Sequence, residues 1–207
     1  SMPISKPLIG ITLGDAAGIG PEIILKTAHD PDILSKCRLL ILGDSLVLQE
    51  TARLLQLPYI YPIHYNIPGP TISPVTIVDL KLFKKVPKYG KVQKVCGVAA
   101  VRSIEAAVDL ASNGYLAGIV TAPLNKEILK LANCPHPGHT ELLAELTHTK
   151  DFGMAFVGGG LRLILVTIHE PIAQLPKLIT TKRVYTSILL ADRAAKELGI
   201  SKPKIGV

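Results

Sequence analysis

The chain is poor in cysteine, and its cysteines are dispersed. Cys37, Cys96 and Cys134 form an odd set with no CxxC pair, which argues against a disulfide framework. Reduced, partly buried thiols in a cytoplasmic protein are the expectation. No apolar run reaches the length of a membrane span; the longest, around 161–168, carries Arg162 and suits a strand. The first residues, Ser1 to Lys6, contain no apolar stretch of signal-peptide length. No membrane partner is expected. Nor does any glycine-rich segment have GxGxxG spacing or the lysine of a phosphate-binding loop. Around His169 there is no HxxxH or HxH, so that segment alone cannot build a metal site.

What is present is enough for a core without covalent or metal staples: 207 residues, 48% hydrophobic and 19% charged. The formal net charge is +7, and Lys81, Lys84, Lys85, Lys88, Lys91 and Lys94 crowd one segment. That segment carries no nucleic-acid-binding motif, so no nucleic-acid partner is expected and a solvated loop and helix face explains it. The overall field can still attract a small anionic substrate.

Strand and helix patterns alternate. Strands are expected at 7–13, 38–43, 75–79 and 118–121, and a hairpin at 152–157 and 161–168 around Gly158-Gly159-Gly160. Pro21 suits the first turn of a helix, and Asp44-Ser45 caps another that runs to about Gln56. Further helices are expected at 91–113, 125–132, 140–147 and from Thr180 or Thr181 to Leu198. The long one presents an apolar face of Val95, Val98, Ala99, Ile104, Ala107, Val108 and Ala111. Residues 57–74 are proline-rich with short extended pieces at best, and 204–207 read as the beginning of a strand. The pattern predicts a largely parallel, three-layer α/β sheet with one antiparallel addition.

Four segments carry candidate chemistry. Gly14-Asp15-Ala16-Ala17-Gly18-Ile19-Gly20-Pro21-Glu22 joins a strand to a helix, where an anion can be received, although a plain structural turn explains it equally well. Asp15 is its polar candidate. Thr121-Ala122-Pro123-Leu124-Asn125-Lys126 follows another strand, and ligands of open α/β sheets gather beyond strand carboxyl ends. Thr121, Asn125 and Lys126 are therefore candidates to face a site; the alternative is Asn125 as a helix cap and Lys126 as a surface charge. In Pro137-Gly138-His139-Thr140-Glu141, Thr140 can cap a helix and Glu141 suits its first turn. His139 is not needed by that cap and is well placed to hold a carboxylate or phosphate. In Thr167-Ile168-His169, His169 follows an apparent buried strand, and by itself reads as structural. His29, His64, His136 and His148 are assigned to surface or loop roles.

Taken in order, these four segments resemble the 4-hydroxythreonine-4-phosphate dehydrogenase family of pyridoxal phosphate biosynthesis, over about residues 9–207. The family's first motif usually has proline where Ala16 stands, and Glu170-Pro171-Ile172 replaces a shorter apolar-Pro-Leu run; neither removes a functional side chain. The resemblance implies an isocitrate/isopropylmalate dehydrogenase-like α/β/α sandwich, incomplete at the C-terminus, with this chain as the N-terminal portion of a two-domain enzyme. It implies a homodimer, NAD or NADP, and a divalent metal (zinc, magnesium or cobalt). The implied reaction oxidises 4-phosphooxy-L-threonine to a β-keto acid that loses CO2 to give 3-amino-2-oxopropyl phosphate. By motif match His139 and Thr140 contact substrate, and His169 is the first of three metal-binding histidines. The other two, with most of the cofactor pocket, are expected beyond Val207. Asp15 and Lys126 receive no such firm role from the resemblance. Related enzymes of threonate or erythronate 4-phosphate, and an inactive anion-binding fragment, are the alternatives.

Overall fold

The computed structural model describes residues 6–65 and 73–207. The chain forms two compact units, Ser1–Thr147 and His148–Val207.

The first unit is built on a parallel sheet in the order β3-β4-β2-β1-β5. Its strands are β1 (Leu8–Thr12), β2 (Arg38–Gly43), β3 (Ile63–His64), β4 (Val75–Asp79) and β5 (Gly118–Thr121). The strands read as near-continuous apolar runs because both faces are covered. Ile9, Ile11, Leu39, Ile41, Val75 and Ile77 join one core cluster with Ile24 and Leu25 of α1 (Gly20–Ala28) and Val47 and Leu48 of α3 (Ser45–Leu55). The alternate residues Leu8, Leu40, Leu42 and Val78 join another with Ala107 and Leu110 of α4 (Lys94–Ser112). The three-layer expectation is met.

Asp44 does more than cap α3. One carboxylate oxygen accepts from Val47 N at 3.2 Å, while the other accepts from Leu82 N at 2.7 Å and Phe83 N at 2.9 Å. A single buried side chain thus starts a helix and shapes the loop after β4. Ser103 of α4 plays a similar part: its hydroxyl accepts from Leu13 N at 2.8 Å and donates to Leu42 O at 2.6 Å, where the β1–β2 pairing ends. Ser103→Ala strands both buried backbone groups. The expected loss is about 1–3 kcal/mol, read as a lower urea midpoint at unchanged slope.

Several expectations need correction. The buried face of α4 is Cys96, Gly97, Ala99, Ala100, Ser103, Ile104, Ala107, Val108 and Leu110, whereas Val95 and Val98 are exposed. The stripe turns because α5 (Lys126–Leu131) lies against α4 at Gly97, where an added Cβ would fall 2.6 Å from the Ile128 carbonyl carbon. Small residues, not the valines, permit that approach. A helix α2 (Pro31–Lys36) was not foreseen; six residues are too few to show a period, and the signal was the Asp30 cap, which accepts from Asp32 N at 2.9 Å. Of the proline-rich stretch, Ile63–His64 is a strand, and residues 66–72 lie outside those described.

The second unit contains the hairpin β6 (Ala155–Gly158) and β7 (Leu161–Ile164), α7 (Leu175–Leu178) and α8 (Thr181–Glu197). Gly158 pairs with Leu161, and positive φ at Gly159 (54°) and Gly160 (81°) matches a two-residue type I′ turn. Both strands are shorter than expected and largely exposed rather than buried. Beyond the Leu165 N to Met154 O bond at 2.9 Å the pairing ends, because Arg183 Nε donates to Val166 O at 2.8 Å and draws the chain to α8. Thr180 caps α8 by accepting from Arg183 N at 3.2 Å. A 3-10 turn at Ile172–Gln174 and α7 were not foreseen. Residues 204–207 belong to no strand among the described residues, so the predicted strand there is not formed.

Candidate active site

The strand order makes β1 a point of reversal: the chain passes through β2 and β4 on one side and returns to β5 on the other. The loops after β1 and β5 therefore flank a topological switch point, the usual ligand position in open α/β sheets. They are joined directly. Asp15 N donates to Pro123 O at 2.9 Å. Gly14, at φ 67°, lies so close that an added Cβ would meet the Ala122 carbonyl oxygen at 2.8 Å. Within the β1–α1 loop, Asp15 Oδ1 accepts from Ala17 N at 2.9 Å and Asp15 O from Gly18 N at 3.0 Å. Asp15 thus holds its own turn. α1 begins without a side-chain cap.

Cys96 lies beneath this loop. Burial, reinforced by the nearby Asp15 charge, pushes its thiol up to about 11. It remains a neutral thiol at physiological pH and is no nucleophile. All three cysteines are free.

After β5, Asn125 caps α5 by accepting from Glu127 N at 2.8 Å, so the structural alternative accounts for it. Lys126 is the exposed first residue of that helix. Leu124 packs against the main core and also against the cluster that holds Leu142 of α6 (His139–Leu146). This brings α6 beside the β5–α5 loop.

The α6 terminus differs from the sequence expectation. Its N-cap is Gly138, with no side-chain cap bond, and His139 is the first helical residue rather than the residue before the helix. Thr140 is therefore inside the first turn and does not cap. An uncapped start leaves backbone N–H groups of the first turn available. His139 Nε2 is sealed from solvent and lacks a hydrogen-bond partner among the described residues. Burial holds His139 below the usual imidazole range of 6.5, so it is neutral at pH 7. A buried, unsatisfied ring nitrogen is rare and costly unless something meets it. His136, by contrast, is paired with Glu145.

In the second unit His169 is exposed, at φ 53°, five residues past the end of β7. Among the described residues no group of three His, Cys, Asp or Glu side chains could hold a metal. Sequence reasoning also missed Ser103 and the carboxylate bridge of Asp44, because their partners are distant in the chain.

A family profile described as "Pyridoxal phosphate biosynthetic protein PdxA" matches residues 35–207. The chain belongs to the PdxA family. A 4-hydroxythreonine-4-phosphate dehydrogenase of Trichlorobacter lovleyi is 38% identical over 212 residues, covering 100% of this chain and 63% of the relative. A protein of Oceanobacillus iheyensis, provisionally named D-threonate 4-phosphate dehydrogenase, is 38% identical over 205 residues, covering 98% and 62%. The crystal structure of a 4-hydroxythreonine-4-phosphate dehydrogenase from Klebsiella pneumoniae superposes with a TM-score of 0.88 at 35% identity, covering 99% of this chain and 62% of that one. The chain thus spans less than two thirds of the length of these PdxA relatives. The PdxA profile takes in the Asn125, His139 and His169 segments, and the two named relatives extend across the Asp15 loop as well.

Proposed function

We propose that the protein carrying this chain is an NAD- or NADP-dependent dehydrogenase of a phosphorylated four-carbon hydroxy acid, 4-phosphooxy-L-threonine foremost, in pyridoxal phosphate biosynthesis. On this reading the chain is the N-terminal portion of a cytoplasmic, homodimeric two-domain enzyme. The observation that carries it is the orphaned Nε2 of neutral His139 at the uncapped start of α6, inside the family's motif. In its Nε2-protonated tautomer His139 donates to a phosphate or carboxylate oxygen, and the free N–H groups of the first turn favour the same charge. Thr140, on that turn, adds a hydroxyl. Orientation of the substrate is what these groups contribute.

NAD or NADP, when bound, would supply the hydride acceptor for oxidation of the substrate hydroxyl to a β-keto acid that would then lose CO2, while His139 and Thr140 would hold the substrate's anionic group. The described residues do not by themselves fit a metal: His169 is a single imidazole where zinc takes about four ligands. His169 serves a zinc, magnesium or cobalt ion only together with ligands from outside this chain. His169→Ala in the full-length protein is expected to abolish turnover and lower metal content by elemental analysis. Near-normal activity with full metal would remove the assignment.

The equal 38% identity to a D-threonate 4-phosphate relative supports a second reading, that the substrate is a threonate or erythronate 4-phosphate. Initial rates with each phosphate separate the two; no turnover with any of them would defeat both.

A further inference from the structure

Between Asp79 and Glu105 the chain has six lysines and Arg102 but no acidic residue. Lys81, Lys84, Lys85, Lys88, Lys91 and Lys94 are all exposed, and none joins an ion pair among the described residues. Unpaired cations on a floppy loop would be unremarkable, but this segment is anchored along its length. Asp44 holds the amides of Leu82 and Phe83, and Phe83 is buried. Gln93 clasps the turn, its Nε2 donating to Lys88 O at 2.9 Å and Lys91 O at 3.3 Å. Gly90 N donates to Ala17 O at 2.8 Å, which pins the strap to the β1–α1 loop of the switch point.

A run of exposed positive charge, with Lys81 set over the Tyr65 ring at 4.4 Å, is therefore tied through Gly90 to the loop at the sheet's ligand edge. We propose that residues 81–94 form an anion-capture surface for phosphate-bearing small molecules entering over the β1–α1 loop. Only the identity of the ligand rests on the dehydrogenase reading. Charge arranged this way raises local ligand concentration and association rate by roughly 10-fold or more, with steep salt dependence. It leaves chemistry untouched.

The test uses the full-length protein with Lys84, Lys88 and Lys91 all changed to Gln, beside a control carrying Lys36→Gln, Lys130→Gln and Lys202→Gln. Inorganic tripolyphosphate binding is measured by calorimetry, and NADH association by stopped flow, at low salt and at about 1 M, where the Debye length is about 3 Å. The strap variant is expected to lose most tripolyphosphate binding and to associate with NADH about tenfold more slowly at low salt, converging with the parent at high salt. An equal effect in the control would assign the attraction to overall charge and overturn the proposal, as would unchanged binding. Tight binding of duplex DNA in preference to tripolyphosphate would also overturn it. Strap-dependent tripolyphosphate binding without turnover of any four-carbon phosphate would leave the strap standing and defeat the dehydrogenase reading alone.

Discussion

Gly97→Ala is expected to destabilise the first unit by about 3 kcal/mol, although alanine is the better helix former by about 1 kcal/mol. The new methyl would stand 2.6 Å from the Ile128 carbonyl carbon and 3.1 Å from the Ala132 Cβ. Both belong to the α5 region, so relief requires backbone movement rather than a side-chain rotation. Ile128 and Leu129 are themselves fully buried, which opposes that movement. At about 2–4 °C per kcal/mol for a chain of this size, the melting temperature should fall by roughly 6–12 °C. Because α5 begins at the cap after β5, the displacement should also disturb the Pro123 carbonyl that holds Asp15 N. A Gly97→Ala protein that melts with the parent would show that the two helices do not meet backbone to backbone.

The second large effect separates function from stability. His139→Phe keeps a ring of similar bulk and removes the orphaned Nε2. Removal of an unsatisfied buried nitrogen relieves a desolvation cost of about 1–3 kcal/mol, so stability should hold or rise. Activity in the full-length enzyme should fall roughly 100-fold, because the substrate loses its orienting partner. A structural histidine would give the reverse pattern, with lost stability and retained kcat/KM. The pH dependence follows from the same burial. The folded pKa lies below the ordinary 6.5, so as pH falls the unfolded chain takes up this proton first. The unfolded state then binds more protons, and stability declines with falling pH through and below about 6.5. Above that window the proton linkage of His139 contributes nothing. The Phe variant should lack this increment, visible as a flatter stability profile between neutral and mildly acidic pH in urea titrations.

How much of this was legible in the sequence depended on how local each determinant is. The β2 and β4 runs, the Asp44 cap and the Gly118–Thr121 strand follow from apolar continuity and turn chemistry within a few residues, and their boundaries match the structure. His139 stood out because nothing local required it. The α6 cap was misplaced by two positions, since Gly138 offers no side chain to signal a start and Thr140 does. The 161–168 strand was overextended because an apolar run cannot reveal that a distant arginine will claim one of its carbonyls.

By itself, then, the sequence determined the alternation of strands and helices, the dispersed thiols, the run of lysines and the order of the four motifs, because each is written in neighbouring residues. Tertiary structure alone decided which chemistry those residues have. The register of β1 between β2 and β5 placed two loops at one switch point. Folding buried one ring nitrogen of His139 and left it without a partner among the described residues. The Gly90–Ala17 bond tied the lysine-bearing segment to the loop at the ligand edge. Burial, close approach and shared hydrogen bonds are relations between residues far apart in the chain, and only the folded backbone brings them within reach of one another.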